Sequence, residues 1–111
     1  METPHDTYNG FANYQTWCVH WWLGSDQEIS RQCRQLAVQA TNTVREASQI
    51  IDGIGTTAEA TRNLLADKLS ELVDEFNPVA NETTLFSDLM GTALGEVDWH
   101  EIADSFLATP T

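Results

Sequence analysis

The sequence predicts an all-α fold: a compact bundle of about five helices, with residues 1–7 as a mobile arm and residues 8–111 as the single domain. Three observations lead there. Apolar residues recur three and four positions apart along most of the chain, which is the spacing of a helix face. Ser, Thr, Asn or Asp precedes these stretches and Gly or Asn-Pro follows them, as helix start and stop chemistry requires. No stretch reads as a strand, a repeat or a low-complexity linker. With 111 residues, 41% of them apolar and ten aromatic, the chain lies outside the disordered class. A domain of this size buries roughly 65% of the surface its unfolded chain exposes.

Met1 to Thr7 is polar and aperiodic, hence the arm. Tyr8-Asn9-Gly10-Phe11 holds the Asn-Gly pair, two residue types that tolerate positive φ, and reads as a turn. Asn13 can accept a hydrogen bond from an orphan amide, and Gly24 can take the left-handed conformation that ends a helix. The residues between them form a helix of about ten residues carrying three of the four tryptophans. Tyr14, Trp17, Cys18 and Trp21 share one face, with Val19 and Trp22 to one side. That aromatic density marks this helix as the hub for the others and leaves at least one tryptophan partly exposed.

Ser25-Asp-Gln-Glu28 has the form of a capping box and opens a second helix. Ile29, Cys33, Leu36, Ala37, Ala40, Val44, Ala47 and Ile51 give it a sustained stripe of about 26 residues, nearly 40 Å long. Thr41-Asn42-Thr43 are poor helix formers and mark a place where it can kink. Asp52-Gly-Ile-Gly55 ends it. Thr56-Thr-Ala-Glu59 caps a third helix, with Ala60, Leu64, Leu65, Leu69, Leu72, Val73 and Phe76 inward and Asn77-Pro78 as its stop. A fourth helix, from about Thr84 to Leu94, is expected to bury Leu85, Phe86, Leu89, Met90 and Ala93. The clearest local signal follows. Val97 is a hydrophobic staple for Ile102, Asp98 the N-cap and Glu101 its capping-box partner, so a fifth helix runs from Trp99 to about Leu107, packing Ile102, Ala103 and Phe106.

The net charge of −12 is concentrated. Residues 31–68 hold all five Lys and Arg; residues 69–111 hold nine acids and no base. That field repels nucleic acid and lipid headgroups and attracts basic protein surfaces in a salt-sensitive way; solubility is the simpler use of it. Glu71, Asp74 and Glu75 crowd the C-terminal end of the third helix, where the dipole disfavours them by about 0.3 to 1 kcal/mol each at low salt. A locally unfavourable placement suggests a role beyond solubility. No apolar run approaches the length of a membrane span and no secretory leader is visible, so the expected compartment is the cytoplasm, with Cys18 and Cys33 as thiols.

No catalytic, cofactor or metal motif is present, and the expectation is a non-enzyme with no cofactor. Cys18 and His20 diverge on a helix and cannot share an ion. His100 and Glu101 diverge likewise, and the Glu is accounted for as a capping partner. The tryptophans lack the basic groove that a single-stranded nucleic-acid platform needs, so core packing is the better account, with an exposed Trp22 as a protein-contact anchor the alternative.

The stretch Asn9-Gly-Phe-Ala-Asn-Tyr-Gln-Thr-Trp-Cys-Val19, continuing to Trp22-Leu-Gly-Ser-Asp26, resembles the opening of a family of small uncharacterised proteins of phages, plasmids and bacterial genomic islands. Asp88-Leu-Met-Gly-Thr-Ala-Leu-Gly-Glu-Val-Asp-Trp-His-Glu-Ile-Ala103 is similar to that family's closing motif. Phe11, Ala12, Gln15 and Cys18 depart from the pattern, which has Trp, Thr, Glu and Asn there. The resemblance implies a genomic context and no catalytic assignment.

The functional expectation is a small acidic protein-binding protein of a phage or mobile element. It would dock its C-terminal third on a basic surface of a host nucleic-acid enzyme and inhibit a defence system of CRISPR or restriction type. Its candidate contact residues are Glu71, Asp74, Glu75, Asp88, Glu96, Asp98, Glu101, Asp104 and Trp22. The alternative is a homodimeric assembly module whose charge serves only solubility.

Overall fold

The computed structural model describes residues 8–48 and 57–108, and among them the helices form where the periodicity places them. They are α1 (Tyr14–Ser25), α2 (Gln27–Ser48), α3 (Thr57–Phe76), α4 (Leu85–Gly95) and α5 (Trp99–Ala108). The expected arm 1–7, the stop at Asp52 to Gly55, the Thr56 cap, Ile51 and the tail 109–111 lie outside the described residues. Ahead of α1, Asn9 (φ 48°) and Gly10 (φ 89°) make the expected turn. Tyr8 and Phe11 close it by exchanging N–H···O bonds of 2.7 and 2.8 Å.

α3 is the central element. Its Leu65, Ala66, Leu69 and Leu72 pack on one side against Cys33, Ala37 and Ala40 of α2, and on the other against Ile102, Ala103 and Phe106 of α5. The fully enclosed α2 members of this cluster are small side chains, which lets the α3 leucines approach closely, while Ile29 and Leu36 of α2 pack at its edge. Each fully buried leucine contributes about 1.5 to 3 kcal/mol relative to an exposed one. Leu23 and Val97 complete the cluster, so the staple residue and its partner Ile102 share one core.

The expectation that α1 is the hub is overturned. Tyr14, Trp21 and Trp22 are exposed, Trp17 and Cys18 are half-buried, and the face that turns inward carries Thr16 and Leu23, with Val19 and His20 between. The aromatic spacing marked a coherent face but not its direction. Trp17 and Tyr14 pack instead on Tyr8 of the turn, with ring centroids 5.1 to 5.8 Å apart among the three.

Three local expectations also change. α1 runs through Gly24 to Ser25 instead of ending at a left-handed glycine. The N-cap of α2 is Asp26, whose Oδ1 accepts the Ile29 N–H at 2.9 Å, while Ser25 is still helical and its hydroxyl donates to Trp21 O at 2.6 Å. Glu28, freed from a capping box, pairs with Arg31. There is no break at Thr41-Asn42-Thr43. The Thr41 hydroxyl donates to the Ala37 carbonyl at 2.9 Å, a bond made within the helix, and Asn42 accepts from Arg45 at 2.6 Å.

α4 departs furthest. Thr84 and Ser87 form a reciprocal capping box at its start, with bonds of 2.9 and 3.1 Å. None of its residues is buried. Leu85, Phe86, Leu89 and Met90, expected in the core, are 66, 69, 59 and 37% exposed. Of the α4 side chains, Leu94 alone packs on the core cluster among the described residues. The cause is placement: turns at Asn77 to Glu82 carry the chain off the end of α3 before α4 begins. The Asn77 side chain fixes the first of them by accepting the Val79 N–H at 3.0 Å.

Candidate partner-binding site

The nine candidate residues divide by what already holds them. Three contribute to a clasp between α1 and the start of α5, Asp98 and Glu101 through their side chains and Glu96 through its carbonyl. Asn13 caps α1 by accepting both the N–H and the hydroxyl of Thr16, at 2.9 and 2.6 Å. The Thr16 oxygen in turn accepts the N–H of Asp98 at 2.9 Å. The Asn13 amide donates to Glu96 O at 2.7 Å. Asp98 caps α5 through the Glu101 N–H at 3.2 Å, but Glu101 does not return the bond as the capping-box reading requires. Its Oε1 accepts the Ala12 N–H at 2.8 Å instead. Thr16 has taken over the Asp98 amide, which leaves the Glu101 carboxylate available to reach across.

Below the clasp, His20 Nε2 lies 2.7 Å from Ser105 Oγ, with its ring between Phe11 and Phe106. Burial lowers its pKa from the ordinary 6.5, and the Glu101 charge opposes this. His100 Nε2 lies 2.9 Å from Asn63 Oδ1, at the surface. No group of three His, Cys, Asp or Glu side chains among the described residues is arranged to hold a metal.

Two more candidates are paired with bases. Asp104 accepts from Arg62 Nε at 2.9 Å, and Glu71 lies 3.8 Å from Lys68 Nζ. Both pairs are largely exposed and each is worth about 0 to 1 kcal/mol. The remaining carboxylate candidates are Asp74, Glu75, Asp88 and Glu96, and all four are exposed. Three of them converge. Asp74 and Glu75 at the end of α3, Glu82 in the turns and Asp88 on α4 line a cleft of about 840 Å³, floored in part by Trp99. Among the described residues no base pairs with these four.

The other flank of α4 is apolar. Trp22, Ile29, Val73, Phe76, Met90 and Leu94 line a groove of about 700 Å³ between α1 and α4, with Asp26 on its rim. Trp22 is 63% exposed and Phe76 51%. At roughly 200 Å² per large side chain, Trp22, Phe76, Leu85, Phe86, Leu89 and Met90 leave on the order of 700 Å² of apolar surface in water. Of these six, Trp22, Phe76 and Met90 line the groove, while Leu85, Phe86 and Leu89 are exposed elsewhere on α4. Sequence reasoning found Trp22 and the acids but assigned the α4 row and Phe76 to the core. Periodicity identifies an apolar face and carries no information about whether that face is covered.

The arrangement defines an all-α protein with α1 and α5 interlocked and an open apolar groove beside an acidic cleft. Residues 4–103 match a family of unknown function, DUF7249, and the chain belongs to that family. No curated protein and no solved structure matches it. The two stretches that carry the motif resemblance supply both sides of the clasp, Ala12, Asn13 and Thr16 from one and Glu96, Asp98 and Glu101 from the other. Among the described residues no helix is long and apolar enough to cross a membrane.

Proposed function

We propose that this is a non-enzymatic binding protein of a mobile element that docks its acidic C-terminal third on a basic surface of a nucleic-acid enzyme. In that role it inhibits a host defence system of CRISPR or restriction type. One observation carries the reading: Asp74, Glu75, Glu82 and Asp88 converge with no base paired to them among the described residues, beside exposed apolar residues. Carboxylates so placed answer the Lys and Arg that neutralise phosphates in a nucleic-acid channel. The apolar surface next to them supplies what charge alone does not, a short-range anchor. Asp98 and Glu101 serve the clasp, so the docking set narrows to Asp74, Glu75, Asp88 and Trp22.

The test is a charge reversal, Asp74→Lys with Glu75→Lys and Asp88→Lys. The unmodified protein should capture a nucleic-acid enzyme from host lysate, release it at moderate salt and be displaced by duplex DNA. The folded triple variant should capture none. Equal capture by the variant refutes the docking reading. A second reading, a homodimer closed over the same apolar face, is favoured by the area exposed on α4 and opposed by the like charge of two copies. A monomeric mass at micromolar concentration removes it.

A further inference from the structure

The geometry points to a particular kind of partner for this surface: an amphipathic helix, apolar on one face and rich in Lys or Arg along its flanks, lying in the groove between α1 and α4. This inference rests on the docking reading above and deepens it. The groove has two walls and a floor. Trp22 stands on the α1 side, Met90 and Leu94 on the α4 side, and Val73, Phe76 and Ile29 lie between. A trough lined by side chains from several helices accepts apolar anchors spaced three, four and seven residues apart, as one helix face presents them.

A helix fits better than an extended segment for a reason of hydrogen bonding. The walls are helices, whose backbone groups are paired internally, so the groove offers no open edge for a strand to pair with. An extended chain would bring unsatisfied amides and carbonyls into an apolar trough, whereas a helix satisfies its own. The charge requirement comes from the rim. Among the described residues Asp26 is the one charged residue in the groove lining, Asp74 and Glu75 directly precede Phe76 in α3 and line the neighbouring acidic cleft with Asp88, and neither the lining nor residues 69–111 contain a Lys or Arg. A helix with cationic flanks is drawn in, and an acidic one is repelled.

A second copy of this chain does not meet that description. Its basic helix is α2, where Arg31, Arg34 and Gln35 surround Val38. Val38 is the one large apolar residue that α2 exposes among the described residues. A single anchor cannot fill the groove.

The probe is a synthetic Leu-Lys peptide of about 18 residues with Leu at helical a, d and e spacing. Its comparisons are a scrambled peptide of equal composition and the same pattern with Glu in place of Lys. Titration calorimetry should show the patterned Lys peptide binding at least about tenfold tighter than the scrambled one, with a gain of helical circular dichroism. The Glu peptide should not bind. Phe76→Glu with Met90→Glu, both at exposed positions, should abolish the preference while leaving the thermal melt in place. Trp22→Asp tests the opposite wall should the double variant fail to fold. Equal binding of patterned and scrambled Lys peptides overturns the inference and leaves the charge-based docking reading standing. A dimer in sedimentation that Met90→Glu dissociates overturns the inference in favour of the homodimer reading. Failure of every Lys peptide to bind overturns both.

Discussion

The clasp between α1 and α5 gives the sharpest test of the packing, through Thr16. Its side chain is fully buried, and its hydroxyl both donates to Asn13 Oδ1 at 2.6 Å and accepts the Asp98 N–H at 2.9 Å. Thr16→Val keeps the shape and removes both bonds. Each bond contributes about 0.5 to 1.5 kcal/mol net, and the Asp98 amide loses its acceptor while Glu101, the usual alternative, is held by Ala12. The expected loss is therefore about 2 kcal/mol. At an m-value of about 2 kcal/mol/M, the urea midpoint falls by about 1 M. Asn13→Ala alone should cost about 0.5 to 2 kcal/mol as a lost cap. Because Asn13 and Thr16 share a bond, the double variant should be less destabilised than the sum, by at least about 0.5 kcal/mol. Strict additivity, or a Thr16→Val midpoint equal to that of the unmodified protein, refutes the clasp as an energetic unit.

Three other outcomes are expected. The folded-state pKa of His20 lies below its ordinary 6.5 because of burial, so the neutral form is favoured on folding. Its stabilising effect is fully present above the unfolded value and is lost as pH falls through the lower folded value. Urea melts at about pH 7 and about pH 5 should show a larger loss for the unmodified protein than for His20→Asn; equal losses would contradict the burial argument. Leu65→Ala, in the centre of α3, should cost about 2 to 5 kcal/mol, and Phe86→Ser on exposed α4 should stay within about 0.5 kcal/mol, both read from chemical denaturation. Burial pushes the Cys33 thiol up to about 11 and closes it to solvent, whereas Cys18 is half-buried. Mild alkylation followed by peptide mass mapping should modify Cys18 first and leave Cys33 intact until unfolding.

Local chemistry was legible in the residues. The turn at Asn9-Gly10 needs two residues that accept positive φ, and the caps at Asn13 and Asp98 need a short side-chain oxygen ahead of a helix. Each signal lies within a few residues of its effect. The leucine stripe of α3 and the Val97–Ile102 staple are the same kind of signal at slightly longer reach, and both reach the core. The acidic composition of residues 69–111 was equally plain.

Tertiary structure decided everything that depends on which of several chemically equal partners is nearer. Glu101 had a partner within its own helix start and another at Ala12, and the position of α1 selected Ala12. The aromatics of α1 and the apolar row of α4 had the same periodic pattern as the leucines of α3, yet it is the α3 leucines that α2 and α5 close over. A periodic apolar face specifies that burial is favourable, by an amount proportional to area, and leaves open what performs the burial. By itself, then, the sequence determined the helices, the caps at Asn13 and Asp98 and the sign of the surface field. The tertiary packing determined that α3 is the centre, that α1 and α5 interlock, and that α4 presents its apolar face outward beside a cluster of carboxylates with no paired base among the described residues.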